Sequence, residues 1–303
     1  MDRFHKILKT FHNLLTDLIK HRQMKKLKYI TLSLFALAAF TLGSCDKTTD
    51  PEPTPVDPFE ELTFIGETSA IGSGTIIKLY ADDELFVGYN RLYVAVYDSS
   101  NSKLQITDAS ITFKPMMDMG TMVHTCPVEN PTATVDEKTK AFKGAAVYIM
   151  PTTTSGFWTM NIEVENKILG QIGTAALPIT VVEKDEPRLI TFISEFDSAK
   201  LFVARIDPVN PAIGLNDIVL GIYEKESMMS FPAVDGYTIA MEPEMPSMNH
   251  GSPNNVDPVS IGGGKYKGVV NFTMTGYWKI NLDFKTSNGD DIKLDQYFDV
   301  TFQ

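Results

Sequence analysis

The sequence predicts an all-β protein built from two tandem sandwiches of related sequence. Three observations carry that expectation. Apolar residues alternate with period two in short runs, no stretch past residue 60 sustains a helical period, and the chain matches itself when shifted by 126 residues. The runs are Leu92–Tyr97, Ala145–Met150, Trp158–Val164, Ile218–Tyr223, Val269–Met274 and Trp278–Phe284. They are rich in β-branched and aromatic residues and bounded by Gly, Pro, Asn and Asp, as antiparallel strands of a sandwich are.

The shift of 126 lays Gly88 on Gly214, Asn90 on Asn216, Tyr97 on Tyr223 and Thr112 on Thr238 without a gap. It continues with Met119, Met122 and His124 on Met245, Met248 and His250. With small gaps, Phe142-Lys143-Gly144 meets Tyr266-Lys267-Gly268, Met150 meets Met274, and Gly156-Phe157-Trp158 meets Gly276-Tyr277-Trp278, so the only two Trp coincide. A charged joint, Glu183 to Pro187, separates the copies. The expected organisation is a first immunoglobulin-like β-sandwich over 61–184 and a second over 185–303.

What precedes them reads as an address. Lys25, Lys26 and Lys28 stand before the apolar run Tyr29–Phe40, and Leu42-Gly43-Ser44-Cys45 follows at once. That is a secretory signal, shorter than the roughly 20 apolar residues of a membrane span. Its ending resembles the bacterial lipobox, which implies cleavage before Cys45 and lipidation of its thiol. Residues 1–44 are therefore expected to be a lipoprotein signal peptide, with Met24 a possible true start. Residues 45–60, with alternating prolines from Pro51 to Pro58, are expected to be a lipidated Cys and flexible, Pro-rich tether. The anchored partner is then a membrane, and the location the cell envelope, periplasmic or surface.

The 303 residues hold 27 Lys/Arg against 38 Asp/Glu. Eight of the cations and two of the acids fall in residues 1–44, so 19 face 36 in the remainder, a net charge of −17. That balance opposes nucleic-acid binding, which needs a cationic face. Two Cys exclude a disulfide scaffold. There is no HExxH, no cysteine pair, and no Lys-Ser/Thr after the Gly262–Gly264 run, so zinc hydrolysis and a phosphate loop are not supported. Only His124 and His250 remain for a triad, and no glycosidase carboxylate pair can be located. The chain is expected not to be an enzyme.

Both His sit in one motif: Met119-Gly120-Thr121-Met122-Val123-His124, and Met245-Pro246-Ser247-Met248-Asn249-His250. Thioether sulfur with imidazole favours a soft ion, Cu(I), over hard cations. On an extended strand Met122 and His124 would share a face, with Gly120 and Pro246 turning the third ligand round. Met150 and Met274 are possible further ligands. Cys126, replaced by Ser252 in the second copy, is either an extra soft ligand or a buried inert thiol. Met116 and Met117 add sulfur to the first copy only; Met228 and Met229 read as core. A Met/His loop that merely fills structure is the plainer alternative.

The order Met-x-x-Met-x-His, aromatic-Lys-Gly strand start, strand ending in Met, and Gly-aromatic-Trp resembles the YtkA-like and FixH-like family of extracytoplasmic β-sandwich domains. The resemblance covers most of each half. The first copy departs from it, with Gly120 where the second has Pro246 and Thr125 where it has Gly251. The resemblance implies an immunoglobulin-like fold, copper handling for respiratory oxidases, and a copper-accepting or copper-donating envelope partner. The rival reading is a surface adhesion or glycan-binding module using Trp158, Trp278 and Tyr277 as a stacking platform, which requires those rings to be exposed. A structural spacer with no ligand is the third.

Overall fold

A computed structural model describes residues 57–303. The expected signal peptide, Cys45 and the expected tether as far as residue 56 lie outside the described residues. Strand content follows the alternation read from sequence, and the one helical piece among the described residues is a 3-10 turn at Pro246–Met248. No helix among them is long and apolar enough to cross a membrane.

The first sandwich contains β1 (Thr63–Ala70), β2 (Thr75–Ala81), β3 (Gly88–Asp98), β4 (Asn101–Ile106), β5 (Ala109–Asp118), β6 (Val123–His124), β7 (Val128–Glu129), β8 (Phe142–Tyr148), β9 (Phe157–Asn166) and β10 (Gln171–Ile179). One sheet runs β1-β2-β3-β8-β7 with β4 beside β3, and the facing sheet runs β10-β9-β5-β6. The second sandwich contains β11 (Leu189–Ile193), β12 (Lys200–Asp207), β13 (Gly214–Glu224), β14 (Thr238–Met245), β15 (His250–Gly251), β16 (Val256–Gly262), β17 (Lys265–Phe272), β18 (Gly276–Lys285) and β19 (Asp291–Phe302). Its sheets run β11-β12-β13-β17-β16 and β15-β14-β18-β19. Consecutive strands that cross from one sheet to the other in this order give the immunoglobulin-like arrangement. Each sandwich has its own core, with Trp158 in one and Trp278 in the other, both fully buried.

The duplication is legible in hydrogen bonds. Gly88 opposite Tyr148 and Gly214 opposite Phe272 open β3 and β13, both with φ in the left-handed range that glycine tolerates. Just behind each, an Asn amide clamps the incoming chain. Asn90 Nδ2 donates to the Phe86 and Gly88 carbonyls and its Oδ1 accepts from the Phe86 amide, while Asn216 does the same with Ala212 and Gly214.

The packed chain begins ahead of residue 61. Phe59 is buried and stacks on Tyr80 at 4.3 Å between centroids, so the last residues of the expected flexible tether belong to the fold. At the other end of the first sandwich, Val182 is hydrogen-bonded to Leu85 and Val87, and Lys184 pairs with Asp83 and Glu84. The sandwiches meet through Arg91 and Asp207 at 2.8 Å, and through a small apolar cluster of Val147, Ala204 and Tyr223. Glu129 sits at this junction and accepts from Tyr89 Oη at 2.8 Å, Lys265 Nζ at 2.8 Å and Tyr223 Oη at 3.3 Å. Asp57–Gln303 accordingly forms one compact unit.

Candidate metal centre

In the first sandwich β5 and β6 form a hairpin closed by the Met119 amide on the Met122 carbonyl at 2.9 Å, with Gly120 and Thr121 as its two-residue loop. Gly120 adopts φ +80°, and its amide donates to Asp118 Oδ1. Met119 and Met122 stand exposed at this turn, whereas His124 is 5% exposed. The expected common face of Met122 and His124 is therefore absent, because only Val123 and His124 are extended and Met122 belongs to the turn.

His124 is fixed at both ring nitrogens. Its Nδ1–H donates to the Thr125 carbonyl at 2.8 Å, and Nε2 lies 3.2 Å from Met150 Sδ. Trp158 holds this corner in place. Its Nε1 donates to the Met150 carbonyl at 3.0 Å, and its ring meets the His124 ring edge-on at 5.5 Å. Met150 thus joins His124 directly, while Met119 and Met122 lie outside the buried corner.

The second sandwich repeats the corner in more open form. Trp278 Nε1 donates to the Met274 carbonyl at 3.0 Å, as Trp158 does to Met150. The chain leaves β14 at Met245, makes the 3-10 turn, passes through Asn249 in the left-handed region and reaches His250. His250 is exposed, with Nε2 3.3 Å from Thr273 Oγ1 and its ring 6.4 Å from Trp278. Met248 is exposed and Met274 half-buried.

Strand register changes which methionines correspond. Met117 lies opposite both His124 and Trp158, and Met245 lies opposite His250. A Cβ on Gly156 would meet the Met117 methyl at 2.6 Å, and one on Gly276 would meet the Met245 methyl at 3.2 Å. Met117, buried like Met245, therefore occupies the place that the ungapped shift gave to Met119. The first hairpin is longer by two residues, and a shift made without gaps cannot register that. Sequence reasoning counted Met117 as sulfur of the first copy only, whereas its counterpart in the second is Met245.

Cys126 lies in the first core, and burial pushes its thiol well above the ordinary range. As a buried thiol it is a poor candidate for a thiolate ligand. From the second sandwich, the Met228 carbonyl accepts the Thr125 amide at 2.9 Å, so the stretch read as core instead lies against the His124 loop, with Met229 exposed. Among the described residues no three His, Cys, Asp or Glu side chains come together. A metal at either corner would have to be held largely by thioethers, and one imidazole nitrogen aimed at one thioether sulfur fits a soft monovalent ion.

The stacking platform of the rival reading is absent as drawn, since both Trp are core and only Tyr277 of the three rings is exposed.

No family model matches the chain, and no curated protein matches it. Among solved structures it is similar to the Escherichia coli adhesin FdeC, with 11% identity over 78% of this chain and 66% of that one, at a TM-score of 0.24. It is similar to the Yersinia pseudotuberculosis adhesin InvE, with 13% identity over 73% and 56%, at 0.22. Domains 5-6 of the S-layer protein SbsC give 10% identity over 79% and 97%, at 0.27. The chain spans less than two thirds of the two adhesin structures, and at these scores the likeness carries no argument about function.

Proposed function

We propose that the protein is a non-enzymatic module of the cell envelope, anchored by lipid at Cys45, that takes up Cu(I) at the His/Met corner of each sandwich. The observation that carries this reading is His124 Nε2 at 3.2 Å from Met150 Sδ, with Nδ1 already committed to a carbonyl. With Nε2 unprotonated, a nitrogen and a sulfur acceptor face each other and are stabilised when a soft cation joins them. Met150 and His124 would hold the ion in the first copy, with Met119 and Met122 meeting it at the surface. In the second, His250 and Met274 correspond to His124 and Met150, Met245 to the buried Met117, and Met248 stands exposed at the turn. Copper bound there gains its hold from polarisable sulfur and brings no catalytic step. Neutral ligands suit transfer to an envelope partner, in keeping with the resemblance to YtkA-like and FixH-like domains.

The test is Cu(I) titration of the chain from Asp46, in competition with a calibrated chelator. Two equivalents are expected, one lost in His124→Ala and in Met150→Leu, the other in His250→Ala. No binding above that of a triple variant refutes the proposal.

A second reading, surface recognition of a saccharide, is favoured by the outer face of β18 and β19. Tyr277 and Tyr297 are exposed there, Lys279 lies 4.3 Å over the Tyr297 ring, and Tyr277 Oη donates to Asp299. Aromatic rings beside charged hydrogen-bonding groups suit a sugar ring. Glycan-array binding lost in Tyr277→Ala and Tyr297→Ala, with copper binding absent, would put this reading first.

A further inference from the structure

The first sandwich ends, away from the junction with the second, in turns that carry four exposed aliphatic side chains. Ile71 is 82% exposed, Ile168 66%, Leu169 55% and Ile172 63%. They stand on a rigid base. Ile71 and Thr174 exchange backbone hydrogen bonds at 2.9 and 3.1 Å, and Asn166 ties the two turns together by donating to the Ser73 carbonyl and accepting from the Ile168 and Leu169 amides. Ser73, itself fully buried, donates to the Ala70 carbonyl, and Gly74 accepts from the Ser99 amide. The polar backbone of this pole is thus largely committed inward while its aliphatic side chains point to solvent. Such a surface costs little to desolvate on its polar side and gains on its apolar side.

The first described residues point to what covers it. Phe59 packs among Tyr80, Tyr93 and Tyr97 on the outer face of β2 and β3. Tyr97 is followed by Asp98, which pairs with Thr75 at the edge of the pole. Eleven residues separate Cys45 from Asp57, and the twelve steps between them, at about 3.1 Å each in extended polyproline geometry, would reach about 37 Å. The tether therefore enters the fold a few residues from the pole and is long enough for the pole to touch the bilayer that holds the lipid.

We propose that Ile71, Ile168, Leu169 and Ile172 form a membrane-contact surface that seats the first sandwich on the bilayer anchoring Cys45. The proposal rests on the lipid anchor but not on copper. A chain with a net charge of −17 beyond residue 44 is repelled by anionic headgroups, so the lipid surface it fits is zwitterionic.

The test uses the chain from residue 45 with Cys45→Ser, so that no lipid is attached, and flotation with phosphatidylcholine–phosphatidylethanolamine vesicles. Partition of the unsubstituted chain is expected, falling about tenfold or more in Ile71→Ser with Ile172→Ser. Leu215→Ser, an exposed aliphatic on the second sandwich, is expected to change nothing. No partition, or partition unaffected by the pair, overturns the proposal. So does a dimer in sedimentation that the same pair abolishes, which would make the occupant a second copy. The mass of the native chain from bacterial membranes tests lipidation of Cys45 separately.

Discussion

Replacing Glu129 by Ala removes one carboxylate and strands three donors. Tyr223 is buried, so its hydroxyl loses a partner that water cannot fully replace, at a cost of about 1–3 kcal/mol. Tyr89 is half-buried and loses about 1 kcal/mol, while the ammonium of Lys265, about a third exposed, turns to solvent and loses less. Together the change is expected to cost roughly 2–4 kcal/mol, concentrated at the junction rather than in either core. Each sandwich holds one buried Trp, so urea unfolding followed by fluorescence in Trp158→Phe and Trp278→Phe backgrounds reads the two separately. With Glu129 present the two midpoints are expected to coincide; with Ala they fall and separate. Glu129→Gln, which still accepts from one or both phenols, is expected to lose about half as much. A loss below about 0.5 kcal/mol with coincident midpoints would refute the argument that this carboxylate couples the sandwiches.

Three further outcomes are expected. Gly173→Ala places a Cβ against the Ser73 amide and 2.6 Å from the Ile71 carbonyl, backbone that cannot yield, so thermal unfolding should show a loss of about 2 kcal/mol or more; Gly170→Ala, with open space around it but φ +62°, should lose only about 1. Burial pushes the Tyr80, Tyr93 and Tyr237 hydroxyls up to about 12, so the fold holds their protons more tightly than the unfolded chain does; the stability they add is complete below pH 10 and disappears between pH 10 and 12, visible as unfolding that accompanies phenolate absorbance. Arg205, lowered to about 10 by burial, and Arg188, also lowered by burial, work in the opposite direction. Cys126 should resist iodoacetamide in the native chain and react on unfolding, because burial disfavours its thiolate.

The alternation of apolar residues carried the strands, and the paired Trp carried the duplication, because both depend only on local spacing. Asn90 and Asn216 aligned for the same reason. Register across strands was not legible. Met117 and Met119 are two residues apart on alternating positions, and only the partner strand shows that the first, opposite Trp158, takes the place of Met245. Burial of His124 and its contact with Met150 also depend on residues 26 apart meeting at a corner. The contacts between sandwiches were invisible, since Glu129, Tyr89 and Lys265 look like ordinary surface residues until the second sandwich is in place.

The junction also sets the two copies apart. Tyr223 is covered by Val147 of the preceding copy, while its counterpart Tyr97 lies in the cluster formed with Phe59. Phe59 thus covers the first sandwich at the position where the second is covered by the preceding copy. At the other end, the position matching Tyr89 is Leu215, exposed and without the hydroxyl that reaches Glu129. The contact is head-to-tail, so the surfaces that the two copies contribute to it are different. With leucine at 215, this face of the second sandwich lacks the hydroxyl that Tyr89 supplies to Glu129, so the two copies are not interchangeable at this contact.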